Sequence, residues 1–206
     1  MNERILVFDT ETTGLFKNRY GSDPSDPHII QFSYLIHENG KVVETWDRYI
    51  KVKKDVTITE EITNITGITP KMCNERGVNI VDALSDFIRA YSSVDKIIAH
   101  NIEFDKRVVR TEIKRNMAAL LPKFPNCLAM FTQNFENAPT EYCTVKSGRN
   151  FCLIPRMNSR GIYYKNPKLS ELHEALFGIV PPNLHNSLVD CEVCMKCYLE
   201  LRKLGL

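Results

Sequence analysis

The chain has no apolar run of the roughly 18 residues that a membrane-spanning helix needs. Its first apolar strand pattern begins within about five residues of Met1, which leaves no room for a secretory signal. These two absences predict an intracellular protein, cytoplasmic or nuclear, that is not secreted and has no membrane partner. Net charge is nearly absent as well: 27 basic against 25 acidic residues leave +2. A polyanion would have to be held by a local patch or through metal, because the global field is close to neutral. The chain also lacks G-x-S-x-G, the P-loop and G-x-G-x-x-G, which excludes the common hydrolase and nucleotide-binding signatures. It has no repeat and no low-complexity tract. The seven cysteines, at 73, 127, 143, 152, 191, 194 and 197, are odd in number and irregularly spaced. In a chain large enough to build a core, that pattern predicts reduced thiols rather than a disulfide framework.

What is present is ordinary globular composition, 43% hydrophobic and 25% charged over 206 residues, which fits one compact domain spanning 1–206. Residues 5–9, ILVFD, read as a buried strand broken by TETTGL, and a polar loop follows from Phe16 to His28. The segment 29–52 alternates apolar and polar residues about Asn39-Gly40, a dipeptide that favours a type I′ hairpin turn. Three antiparallel strands are implied. Helical spacing follows at Thr59–Thr66 and, after a Gly67–Pro70 break, at 78–94. KIIAH at 96–100 reads as a second buried strand, and Asn101 is placed to cap the helix 104–121. Within 122–167, the least patterned stretch, a short strand is expected near Cys127–Met130. Helices at 169–178 and 188–205, separated by Pro181-Pro182, close the chain. The whole predicts an α/β fold: a mixed sheet, antiparallel meander plus parallel strands, flanked by helices.

Asp9 and Glu11 lie two residues apart at the end of a strand, so both carboxylates project to one side. Two such anions repel, and a hard divalent cation such as magnesium or manganese relieves the repulsion. A lone D-x-E at a strand end is more often mere turn chemistry. Asp105 falls one turn inside the helix after Asn101, where alone it would simply complement the helix dipole. Asp190 sits in Ser187-x-x-Asp190, the pattern of a capping box. His185, just outside that helix, would by itself be a surface residue.

The conjunction of FDTETTGL, HNIEFD and HNSLVD, in that order and widely separated, resembles the DnaQ-like 3′–5′ exonucleases of the DEDD class, histidine subtype. The likeness extends over residues 3 to about 202 and takes in ITGIT at 65–69 and KLSELHEALFG at 168–178. It implies an RNase H-like five-stranded mixed sheet. It also implies catalytic Asp9, Glu11, Asp105, His185 and Asp190, with the four acids holding two Mg²⁺ or Mn²⁺ ions. In that scheme Asp9 bridges both ions and His185 deprotonates the attacking water. The implied substrate contacts are Thr12, Leu15, Ile65 and Asn101. Leu15 and Ile65 pack on the terminal base, with burial in the core as the competing explanation. Three departures stand out: Ser187 where alanine is common, a long loop at 16–28, and an inserted-looking stretch at 144–167.

The resemblance therefore implies metal-dependent release of nucleoside 5′-monophosphates from 3′ ends, with single-stranded DNA favoured over RNA. Two alternatives remain: an RNA-trimming exoribonuclease, or a proofreading subunit associated with a DNA polymerase and acting mainly as a binding module. Two basic groups, Arg107, Arg110 and Lys114 on one helical face and Lys51, Lys53 and Lys54, could guide phosphates but read better as solvated faces. Cys191, Cys194 and Cys197 read as helical core packing rather than a metal motif, and Met117, Leu120 and Phe131 also read as core.

Overall fold

The computed structural model describes residues 3–18, 23, 25–132, 135–136 and 138–206. Part of the long loop at 16–28 therefore lies outside the described residues. Three strands open the chain, β1 (Arg4–Thr12), β2 (Ile29–Glu38) and β3 (Lys41–Tyr49). They form an antiparallel meander whose second turn has Asn39 at φ 54° and Gly40 at φ 76°, the pair of left-handed residues that a type I′ turn requires. Helices α1 (Glu60–Thr66), α2 (Pro70–Arg76) and α3 (Ile80–Tyr91) lead into β4 (Lys96–Ala99), which pairs parallel with β1. Next come α4 (Ile102–Arg115), α5 (Met117–Leu120) and β5 (Thr140–Cys143), the last parallel to β4. The sheet order is β3-β2-β1-β4-β5, an RNase H-like mixed sheet as expected. Helix α6 (Thr144–Cys152), a separate hairpin of β6 (Pro155–Asn158) and β7 (Gly161–Tyr164), α7 (Leu169–Phe177) and α8 (Ser187–Lys203) complete the chain.

The alternation of β1 divides the core. Leu6 and Phe8 face Leu84, Phe87 and Val108 of α3 and α4, while Ile5 and Val7 face Cys191, Cys194 and Leu201 of α8. Period-two burial on a strand thus supplies both layers. The three α8 cysteines are buried and unpaired within this second layer, as core packing predicts, and burial pushes their thiols up in pKa, Cys197 to about 12.

Three local expectations are corrected. The segment Cys127–Met130 is not a strand: a 3₁₀ turn spans Ala129–Phe131, and the edge beside β4 is taken by Thr140–Cys143. Met130 and Phe131 pack instead under α3, where Tyr91 Oη donates to the Met130 carbonyl at 3.0 Å and Phe131 lies 4.6 Å from the Tyr91 ring. Met117 is partly exposed on the short α5, whereas Leu120 and Phe131 are core. Asn101 occupies the N-cap position of α4 but is left-handed, at φ 74°, and makes no side-chain capping bond; an N-cap side chain bonds from extended backbone, which this residue does not have.

No helix among the described residues is long and apolar enough to cross a membrane.

Candidate active site

Strand β1 carries Asp9 and Glu11 on the face shared with Val7, before the register shift at Glu11/Thr12. Both carboxylates therefore leave the sheet on the α8 side. Helix α4 starts directly after β4, which runs parallel to β1, and its first turn delivers Asp105 to the same sheet end. Thr10, pointing the other way from Asp9, donates to Asp105 Oδ1 twice, from its main-chain N–H at 3.1 Å and from Oγ1 at 2.8 Å. This positioning role of Thr10 was not read from the sequence.

Asp190 arrives on the first turn of α8. The cap there is Asn186, not Ser187: the Asn186 side chain accepts from Leu188 N and Val189 N. Ser187 is instead buried, with its hydroxyl 2.5 Å from that of Ser33 and its N–H donating to Gln31 Oε1 at 3.2 Å. Gln31 and Ser33 both donate to Asp47 on β3, at 2.8 and 2.7 Å. A buried polar chain from β3 through β2 thus fixes the start of α8. Ser187 is the departure noted in the sequence, and it seals that joint.

The result is a cluster. Ligand-capable atoms of Glu11, His185 and Asp190 lie within 4.8 Å of one another. His185, at φ 68°, is exposed, and its main-chain N–H donates to Asp190 Oδ2 at 3.2 Å. The other oxygen, Asp190 Oδ1, is buried and makes no hydrogen bond among the described residues. Burial raises the pKa of Asp9 well above the usual value, and the charges of Asp105, Asp190 and Glu11 raise it further. Burial, with Asp190 and Asp105, raises Glu11 to about 8. Asp105 is raised to about 7 by burial, against the opposing Thr10 hydrogen bonds, and Asp190 to about 6 by burial, against the His185 amide. Of the ion pairs among the described residues, none includes any of these four acids. Four converging carboxylates with no basic partner among the described residues, one of them with a buried oxygen that has no hydrogen bond there, fit a hard divalent cation such as magnesium or manganese.

A cleft of about 570 Å³ opens beside Glu11, lined among others by Thr12, Leu15, Ile62, Ile65 and Phe104. Leu15 and Ile65 are 77% and 47% exposed, so they are cleft-wall residues and not core. Thr12 is buried, and its Oγ1 donates to the Gly14 carbonyl at 2.7 Å, which turns the chain into that wall. Asn101 does not line this cleft. Of the two basic groups, Arg107 is drawn to the loop, its guanidinium 3.7 Å from the Phe16 ring and bonded to the Asn18 carbonyl.

An RNase H-like sheet with acids from β1, α4 and α8 gathered at one end defines a DnaQ-like nuclease. The chain belongs to the RNase T exonuclease family, whose model matches residues 6–198. Among curated relatives, the PolC-type DNA polymerase III of Thermotoga petrophila is 32% identical over 116 residues, covering 56% of this chain and 8% of that protein. The 3′–5′ exonuclease DinG of Bacillus subtilis is 31% identical over 114 residues, 55% of this chain and 11% of that one. The chain thus spans only a small part of the relatives it matches. Solved structures of E. coli Exonuclease I share the fold. An oligonucleotide complex gives TM-score 0.69 at 21% identity over 98% of this chain and 41% of that one. A zinc-bound single-stranded DNA complex gives 0.71 at 21% over 100% and 41%.

Proposed function

We propose that this chain, as one domain over residues 1–206, hydrolyses the terminal phosphodiester bond at the 3′ end of single-stranded nucleic acid and releases nucleoside 5′-monophosphates, with DNA favoured over RNA. The observation that carries the reading is the orphaned Asp190 Oδ1 within four mutually repelling carboxylates that make no ion pair among the described residues, beside an exposed imidazole and an apolar-walled cleft. Asp9, Glu11, Asp105 and Asp190 would hold two Mg²⁺ or Mn²⁺ ions. Bound divalent ions supply an acidified water and neutralise charge on the phosphate. His185, on the solvent side of the cluster, takes the proton of the attacking water, a role suited to an imidazole near neutral pH. Leu15 and Ile65 receive the terminal base by apolar packing, which is tolerant of sequence. Thr12 turns the backbone toward the terminal sugar, and Asn101, at the N-cap of α4 and outside the cleft, is a further substrate contact.

The PolC-type relatives, in which the matched region is a small fraction of a polymerase chain, support a second reading: proofreading in association with a DNA polymerase.

The experiment uses 5′-labelled single-stranded DNA, RNA and mismatched duplex with magnesium, manganese or chelator. Progressive shortening from the 3′ end that stops with chelator supports the proposal. Internal cuts, or cleavage indifferent to chelator, contradict it. Faster cleavage of RNA would make the enzyme an exoribonuclease, and preference for the mismatched duplex would favour proofreading.

A further inference from the structure

Residues 144–168 contain six basic residues, Lys146, Arg149, Arg156, Arg160, Lys165 and Lys168, and no acidic one, which leaves 21 basic against 25 acidic residues in the rest of the chain. The near-zero global charge therefore conceals one strongly basic segment, made of α6 and the β6–β7 hairpin.

The hairpin stands away from the core. Every residue of both strands is exposed. Cross-strand neighbours share a face, and the register pairs Met157 with Ile162 and Pro155 with Tyr164. One face is therefore apolar, with Met157 81% and Ile162 74% exposed. The opposite face carries Arg156 directly across from Tyr163. A two-stranded hairpin exposed on both faces is marginal by itself. Arg149, Arg156 and Arg160 form no ion pair among the described residues.

Its anchorage sets where it stands. Val7, Ile98 and Tyr142 are in register across the parallel strands β1, β4 and β5. Two residues further on, Asp9, His100 and Thr144 lie at the same end of the sheet. The two ends of the basic segment meet at the His100 ring: Nε2 donates to the Pro167 carbonyl at 3.1 Å, and Nδ1 accepts from Thr144 Oγ1 at 2.9 Å. The segment thus springs from the carboxylate-bearing end of the sheet.

We infer that the β6–β7 hairpin with α6 is a second binding site for single-stranded nucleic acid, which holds the strand on the 5′ side of the nucleotide being cleaved. The inference rests on the proposed nuclease reading for the identity of the strand. Charge complementarity selects a polyanion, and the exposed Tyr163 ring beside Arg156 selects unstacked bases, the combination that single-strand binders use. Arg149, Arg156 and Arg160 contact phosphates, and Tyr163, on the Arg156 face, gives a base a surface to stack on. Leu15 and Ile65 then need to hold only the last nucleotide.

The test uses the full chain and a fluorescein-labelled oligothymidylate of about 20 nucleotides in chelator, read by fluorescence anisotropy across salt concentrations. The triple variant Arg149→Gln/Arg156→Gln/Arg160→Gln should bind at least about tenfold more weakly, with its log–log salt slope reduced by about 2, from roughly 0.7 per lost phosphate contact. Tyr163→Ala should weaken binding at least about fivefold with the slope unchanged. Both should keep the wild-type melting temperature and the wild-type rate on p-nitrophenyl thymidine 5′-monophosphate. Variants that bind the oligomer as the wild type does would overturn the inference even while the wild type still degrades DNA. Loss of binding in the variants of a protein that cleaves nothing would sustain this site and sink the nuclease reading. Self-association of the wild type that the triple variant abolishes, with oligomer binding unchanged, would assign the face to a second copy and overturn the inference.

Discussion

The main-chain N–H of His185 donates to Asp190 Oδ2 at 3.2 Å, while Oδ1 of the same carboxylate is buried without a partner among the described residues. One oxygen is spent holding the candidate base in its left-handed turn, and the other is left buried with no hydrogen bond among the described residues. Asp190→Asn keeps an oxygen for the His185 amide but replaces the anion with a neutral amide. We expect it to fold, to melt at or above the wild-type temperature without metal, and to lose hydrolysis below detection. Single-turnover cleavage and manganese titration check this; wild-type turnover in the variant would remove Asp190 from the site.

Thr10 acts on Asp105 through two donors, and only one of them depends on its side chain. Thr10→Val keeps the main-chain bond and the volume but deletes the hydroxyl. Partners that orient a ligand from behind typically contribute about 10–100-fold to affinity or activity, and a loss of that size is expected, with Thr10→Ser restoring it. Manganese affinity and cleavage rate, measured together, should fall together. Equal values in all three proteins would make Thr10 a bystander.

The acid cluster also sets a pH dependence. Carboxyl groups ionise near 4 in the unfolded chain, whereas Glu11 is raised to about 8 and Asp105 to about 7 in the fold. Between those values the native state binds more protons than the unfolded state, so stability falls as pH rises. Melting in chelator should therefore drop between about pH 5 and pH 8, and magnesium should reverse the drop. Asp9→Asn should flatten it and raise melting at pH 8 by at least about 3 °C, the shift about 1 kcal/mol gives at this size. A melting temperature that rises over that interval, or a variant with the wild-type slope, would contradict the cluster.

Asp47 lies far from the cluster along the sequence, yet accepts from both Gln31 and Ser33, which hold Ser187 at the start of α8. Asp47→Ala leaves two buried donors without an acceptor, at about 1–3 kcal/mol each. It should lower the melting temperature and also slow cleavage, because α8 carries Asp190. Ser187→Ala should cost less, about 1 kcal/mol, because Ser33 keeps its bond to Asp47. Thermal melts and cleavage rates check the order; a destabilised Asp47→Ala that cleaves at the wild-type rate would break the link between joint and site.

The sequence pattern made Asp9 and Glu11 legible as a period-two pair, and Asp105 and Asp190 as residues near the starts of helices, because strand and helix phase are local properties. Their convergence was legible only through three motifs taken together. Features decided by long-range contacts stayed hidden. Asn186 and Ser187 are both good caps, and the choice between them is made by Ser33, more than 150 residues away. Thr140–Cys143 is half polar and only four residues long, so neighbouring β4, not propensity, makes it a strand. The β6–β7 hairpin is exposed on both faces and therefore leaves no burial period to read. Leu15 and Ile65 are apolar in either a core or a cleft, and only their exposure separates the two.

The reading of Asp9, Glu11, Asp105 and Asp190 as one cation site comes down to where the metal sits. Anomalous diffraction from crystals grown with manganese and thymidine 5′-monophosphate measures it directly. Peaks are expected between these carboxylates, with the nucleotide phosphate beside them and its base against Leu15 and Ile65. Manganese bound elsewhere, or carboxylates left without a peak at saturating metal, would contradict it.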